Sequence, residues 1–211
     1  MAKRKAKSPG NAGKAGGRKP LEGYEVLLCV TGGIACYKAA DLASKLTQAG
    51  AAVNVAMTEA ATRFVAPLTF QSLTRRQVFT SMWQSTEDFR AHHVSLTQSA
   101  DLMIIAPATA DIIAKLAAGL ADELVSTLAL SATGACPLLV APAMNDRMWS
   151  APATRANVER LKSWGVRFVG PGEGYLACGT MGAGRMAEPA EILDEGGKTL
   201  LQHPPKAEQT K

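Results

Sequence analysis

The sequence has no run approaching the ~20 apolar residues that a bilayer-spanning helix needs, and its basic N-terminus is not followed by the apolar stretch of a secretory signal. Its four cysteines, Cys29, Cys36, Cys136 and Cys178, form no C-x-x-C pair and no zinc spacing, so no metal site is expected. The nicotinamide fingerprint G-x-G-x-x-G is missing, as are internal repeats. Acidic residues are absent from the first 19 positions, which hold seven Lys or Arg. The remaining chain carries sixteen basic against eighteen acidic residues, so the formal charge of +5 describes a tail and not a basic domain. That tail is rich in Gly, Ala and Pro, and residues 1–22 are expected to be disordered. It has no aromatic platform or recognition motif, which favours a solvated extension over a nucleic-acid-binding arm. These absences together predict a soluble, cytoplasmic protein with neither a membrane nor a nucleic-acid partner.

What is present fits one domain with a sizeable core: 211 residues, 47% of them hydrophobic. Short apolar runs at Glu25 to Val30, Ala52 to Met57, Leu102 to Ala106, Pro137 to Ala141 and Val166 to Val169 read as buried strands. Helical patterns alternate with them: Ile34 to Ala49 closed by Gly50, helices after Asp111 through Leu130, Thr154 to Trp164, and Pro189 to Leu201. Such alternation means a parallel sheet with right-handed crossovers and both faces covered, an α/β, three-layer, doubly wound fold over residues 23–202. The segment Thr62 to Ser99 is less regular, with room for two helices, Pro67 to Leu73 among them, and a lid-like loop around Trp83 to Ala91. After Pro204-Pro205 the end of the chain, 203–211, is expected to fray.

Ligands bind at strand ends in an open α/β sheet, and four of these ends are unusual. Thr31-Gly32-Gly33-Ile34-Ala35 closes the first strand, where glycines and a helix N-terminus suit a phosphate. Thr58 closes the second, either as a hydroxyl donor to that phosphate or as a plain helix cap. Pro107-Ala108-Thr109-Ala110 closes the third with small residues over which a flat ring fits. Pro142 to Trp149 (PAMNDRMW) closes the fourth and joins an apolar wall to the amide of Asn145, which helix capping alone also accounts for. With Ala143, these ends converge on one crevice fit for a mononucleotide, and flavin mononucleotide (FMN) is the natural candidate. His93, beside His92, is a proton-shuttle type, although a lone histidine is more often structural. Cys178 lies in a glycine-spaced stretch, Tyr175 to Met186, either as a thiol on a mobile flap beside Arg185 or as an incidental surface cysteine.

Taken together, Thr31-Gly32-Gly33-Ile34-Ala35 with Tyr37-Lys38, His93-Val94-Ser95-Leu96 before Ala100-Asp101-Leu102, Ala106 to Ala110, Pro142 to Trp149, and Ala177-Cys178-Gly179 through Gly184-Arg185-Met186 resemble the flavin-dependent cysteine decarboxylase family. The resemblance spans about Tyr24 to Leu193 and implies a flavodoxin-like Rossmann fold. It implies that Gly33, Ile34, Ala35, Thr58, Pro107, Ala108, Thr109, Ala110 and Ala143 line FMN. It also implies that His93 is the active-site histidine, that Asn145 holds the substrate carboxylate, and that Cys178 donates a proton in the final reduction. Met144 and Arg185 join Asn145 on the substrate side. The flap favours the coenzyme A branch, which converts a phosphorylated small molecule, 4′-phosphopantothenoylcysteine, to 4′-phosphopantetheine through a thioaldehyde and an enethiolate. A peptidyl-cysteine decarboxylase and a non-catalytic regulatory homologue are the alternatives. Family members form trimers or dodecamers, and bifunctional relatives carry a ligase joining cysteine to phosphopantothenate, which a separate protein would supply here. Thr180 and Met181 depart from the family pattern, in which many members carry an acidic and an aliphatic or aromatic residue.

Overall fold

The computed structural model describes residues 18–83 and 92–209. At its centre the apolar run EVLLCV forms β1 (Glu25–Val30), flanked by β2 (Ala52–Met57) on one side and β4 (Leu102–Ala108) on the other. β3 (Val78–Phe79) adds one edge, and β5 (Leu138–Pro142) then β6 (Arg167–Phe168) the other. The six strands are parallel in the order β3-β2-β1-β4-β5-β6. Without its two-residue edge strand β3, the sheet has the five-strand flavodoxin order; with it, the six-strand Rossmann order.

Side chains that alternate along each strand divide the interior into two cores. Val26, Leu28 and Val30 of β1 join Leu102, Ile104 and Ala106 of β4 in one. Leu27 and Cys29 join Met103, Ile105 and Ala108 in the other. The first core is closed by α1 (Cys36–Gln48), α3 (Pro67–Thr74) and α9 (Pro189–Leu200), through Leu42, Phe70 and Ile192. The second is closed by α4 (His92–Ser99), α5 (Ala110–Ala118), α6 (Leu124–Ser131) and α8 (Pro152–Ser163). Each fully buried aliphatic side chain here contributes about 1.5–3 kcal/mol relative to exposure. This is the expected doubly wound, three-layer α/β arrangement. Among the described residues no helix is long and apolar enough to cross a membrane.

Three features differ from expectation. First, β4 continues through Pro107 and Ala108, which the sequence places in a loop. A register shift between Ile105 and Ala108 accommodates the proline, which has no N–H to give to the ladder. Second, the glycine-rich flap is an antiparallel hairpin of β7 (Gly172–Tyr175) and β8 (Met181–Arg185).

Third, both ends of the domain extend further than 23–202. Leu21 is buried, and the Arg18 guanidinium pairs with Glu208 at 2.6 Å. The Tyr24 hydroxyl donates to the His203 carbonyl at 2.7 Å. Lys206, at the start of α10 (Lys206–Gln209), donates its ammonium to the carbonyls of Gln98, Ala100 and Ala135 and its backbone N–H to the Asp101 carboxylate. Residues 203–209 are therefore docked, because exposed and half-buried carbonyls find their cation there. Residues 1–17 and 210–211, and most of the anticipated lid-like loop, 84–91, lie outside the described residues.

Candidate functional site

The strand order of the parallel sheet reverses between β1 and β4, and one hydroxyl joins the two strand ends at that point. Thr31, 2% exposed, donates Oγ1–H to the Pro107 carbonyl at 2.7 Å and accepts from the Thr109 N–H at 3.2 Å. On either side, Thr58 caps α2 (Glu59–Thr62) through the Ala61 N–H and Thr109 caps α5 through the Ile112 N–H, each at 3.2 Å. A capping hydroxyl still has its own proton and a second lone pair, so both threonines remain able to serve a ligand.

Gly32 is required for packing, since a Cβ there would run into Ala60 of α2, whereas a Cβ on Gly33 would meet nothing. Among the described residues the N–H groups of Gly32, Gly33 and Ile34 take no protein acceptor. They sit just before α1, where unpaired donors favour an anion. The crevice beside them, of about 690 Å³, is lined by Thr31, Gly32, Thr58, Thr109, Ala110 and Met148 among others. Glu59, Arg63, Asp111, Lys115 and Glu123 also line it, so the hydroxyls and small residues share the space with charges of both signs; its size fits a mononucleotide.

Not every residue proposed for the cofactor faces that space. Pro107 and Ala108 are buried within β4, and the Pro107 carbonyl is already taken by Thr31, so they form the floor. Ala143 is half-buried, and its N–H donates to the Ala108 carbonyl. Ile34 is exposed and Ala35 half-buried at the start of α1.

The second half of the site is the contact between the flap and the loop after β5. Asn145 caps α7 (Asp146–Ser150) by accepting the Arg147 N–H at 2.9 Å on Oδ1. This leaves Nδ2 free to donate to Cys178 Sγ at 3.0 Å. The Met144 N–H donates to the Gly184 carbonyl at 3.0 Å, and a Cβ on Gly184 would collide with the Met144 carbonyl oxygen. A Cβ on Gly182 would come within 2.8 Å of Asp146 Cβ. The flap glycines are thus what lets β8 lie directly on the PAMN segment.

The four thiols differ in character. Burial pushes the pKa of Cys29 well up, and it also raises Cys36 and Cys136. Cys178, fully exposed, is lowered instead, first by its hydrogen bond with the Thr180 hydroxyl, with the Thr180 backbone and the Asn145 amide adding to it.

Arg185 is held elsewhere. It pairs with Glu188 at 3.3 Å and lies over Gly174, while Glu188 also takes the buried Lys38 ammonium at 2.7 Å. His93 falls in the first turn of α4, and its side chain lies outside the described residues. Sequence reasoning passed over the Lys38–Glu188 pair and the Thr31 staple. The signal for the first was a lysine on the otherwise apolar face of α1; for the second, a threonine directly after an apolar strand.

The family model described as Flavoprotein matches residues 16–200. The coenzyme A biosynthesis bifunctional protein CoaBC of Bacillus subtilis (strain 168) is 50% identical over 173 residues, which are 82% of this chain and 42% of that protein. The chain thus spans less than half the length of this relative. A solved structure of a PPC decarboxylase mutant complexed with pantothenoylaminoethenethiol superposes with a TM-score of 0.76 at 29% identity, covering 85% of this chain and 99% of that one. The FMN-dependent cysteine decarboxylase SpaF gives 0.72 at 30% identity, over 85% and 96%. With the family model matched along nearly all of its described length, the chain belongs to the Flavoprotein family.

Proposed function

We propose that the chain is an FMN-dependent decarboxylase that converts 4′-phosphopantothenoylcysteine to 4′-phosphopantetheine in coenzyme A biosynthesis. The observation that carries this reading is the 3.0 Å contact between the Asn145 amide, in the loop after β5, and the Cys178 thiol of the flap. In this reading the first binds the substrate carboxylate and the second donates a proton, and their contact supports one site for both. Half identity to CoaBC supports the substrate, and the likeness to SpaF supports the cofactor.

In this reading Gly33, Ile34 and Ala35 with Thr58 hold the flavin phosphate end, while Thr109, Ala110 and Ala143 lie along the ring over the floor of Pro107 and Ala108. Bound there, FMN supplies the two-electron oxidation of the substrate thiol and the hydride that is returned at the end, so no net oxidant is consumed. The chemistry needs this because a cysteine carboxamide has no electron sink of its own. Oxidation to a thioaldehyde puts a C=S bond beta to the carboxylate, and loss of carbon dioxide then leaves an enethiolate. Asn145, with a second N–H still free, fixes the carboxylate until it departs. His93 assists removal of the thiol proton. Cys178 delivers a proton to carbon, and water returns one to its exposed sulfur. Met144 and Met148 bound the pocket, and Arg185 acts from the Glu188 cluster at its edge.

The reading extends to a cytoplasmic homo-oligomer, a trimer or dodecamer, working with a ligase activity that joins cysteine to phosphopantothenate. Ile34, Tyr37, Phe64 and Leu68 are exposed, and Phe64 lines the crevice; apolar side chains left open in this way support self-association.

The test is to incubate purified protein, with its visible flavin spectrum recorded, separately with 4′-phosphopantothenoylcysteine and with a peptide ending in cysteine. Yellow protein that decarboxylates the first and not the second is expected. Turnover of the peptide alone would overturn the substrate, and colourless, inert protein would overturn the enzyme.

A further inference from the structure

The loop between β7 and β8 is a closed turn built around Cys178. The Leu176 N–H donates to the Thr180 carbonyl at 2.8 Å and the Gly179 N–H to the Leu176 carbonyl at 2.9 Å. The Leu176 side chain is buried and anchors the turn, while Cys178 stands exposed at its tip. Gly179, at φ +88°, reverses the chain so that the residue after it comes back towards the sulfur. As a result Thr180 Oγ1 lies 3.2 Å from Cys178 Sγ, on a sulfur that already receives the Asn145 amide.

These two partners differ chemically. An amide nitrogen can only donate, whereas a hydroxyl can accept from a thiol or, after rotating, donate to a thiolate. We propose that Thr180 is a positioning residue for proton delivery by Cys178: it accepts from the thiol before transfer and donates to the thiolate that transfer leaves. This rests on the reading of Cys178 as the proton donor. In the step, the S–H bond of Cys178 breaks and a C–H bond forms on the substrate carbon. The electron pair stays on sulfur, held by two donors, until solvent supplies the next proton. A general acid works best when its pKa is near the working pH, and the downward shift of the Cys178 thiol, led by Thr180, is in that direction.

The test compares wild type, Thr180→Val, Thr180→Ala and Thr180→Ser as FMN-loaded proteins with matched visible spectra. Alkylation of Cys178 by iodoacetamide is followed across pH by peptide mass, alongside turnover of 4′-phosphopantothenoylcysteine. Loss of the hydroxyl is expected to move the alkylation midpoint up by about half a unit or more and to slow saturated-product formation about tenfold, with Ser restoring both. A purely packing role would affect Ala and Ser more than Val and leave the midpoint in place. Cys178→Ser separates the two levels. If it forms saturated product at the wild-type rate, the reading of Cys178 fails. If it stalls at the unsaturated product while Thr180→Val keeps the wild-type midpoint and rate, the Thr180 role alone is overturned.

Discussion

The Thr31 hydroxyl donates to the Pro107 carbonyl at 2.7 Å, across the point where the strand order switches. It also receives the Thr109 N–H, so one buried oxygen fixes the spacing of the two strand ends on which the crevice is built. Thr31→Val keeps the shape and leaves two backbone groups without that partner. A loss of about 1–3 kcal/mol is expected, read as a lower denaturant midpoint, together with weaker FMN retention on gel filtration. Unchanged flavin content would show that the staple supports the fold alone.

Gly184→Ala puts a methyl group against the Met144 carbonyl oxygen, which breaks the seat of β8 on the PAMN loop. The hairpin lies outside both cores, so the melting temperature should change little. Turnover should fall tenfold or more, since small displacements of positioned groups cost about that much. Equal losses of stability and activity would mean that the hairpin is part of the folding core.

The thiols should be chemically distinguishable. Because the Cys178 pKa is lowered, its thiolate fraction rises at a lower pH than that of an ordinary cysteine. Cys29, Cys36 and Cys136 are raised, so their thiolate fractions stay small there. Limited iodoacetamide at pH 7.5, a choice just below the usual thiol pKa of about 8.5, should label Cys178 first in peptide mapping. Early labelling of Cys136 would contradict that order.

Docking of the C-terminal segment depends on Lys206, whose ammonium serves three backbone carbonyls. Lys206→Met removes the donor and leaves those groups unpaired, and should lower stability by about 1–3 kcal/mol. Flavin content should not change, because this strap lies at the opposite ends of the strands from the crevice. A colourless variant would show that the two ends of the sheet are coupled.

Legibility in the sequence followed burial. β1 and β2 run between the residues that their apolar stretches indicate, because strands covered on both faces leave an unbroken signature. β3 has only two residues, and β7 and β8 are built mainly of glycine and polar residues, so neither periodicity nor propensity marks them. The strap from His203 to Gln209 reads as a frayed end because its anchors are one lysine, one aspartate and scattered carbonyls. At the site, the strand-end residues were legible from position alone. That Pro107 and Ala108 are floor, that Glu188 takes Lys38, and that Asn145 touches Cys178 depend on contacts between segments far apart in sequence.

The most direct test of the central claim is product stoichiometry. FMN-loaded protein is given 4′-phosphopantothenoylcysteine with no added nicotinamide, oxidant or reductant, and carbon dioxide and 4′-phosphopantetheine are measured together. One of each per substrate consumed is expected over many turnovers. A requirement for an external reductant, or carbon dioxide released without the saturated thiol, would contradict it.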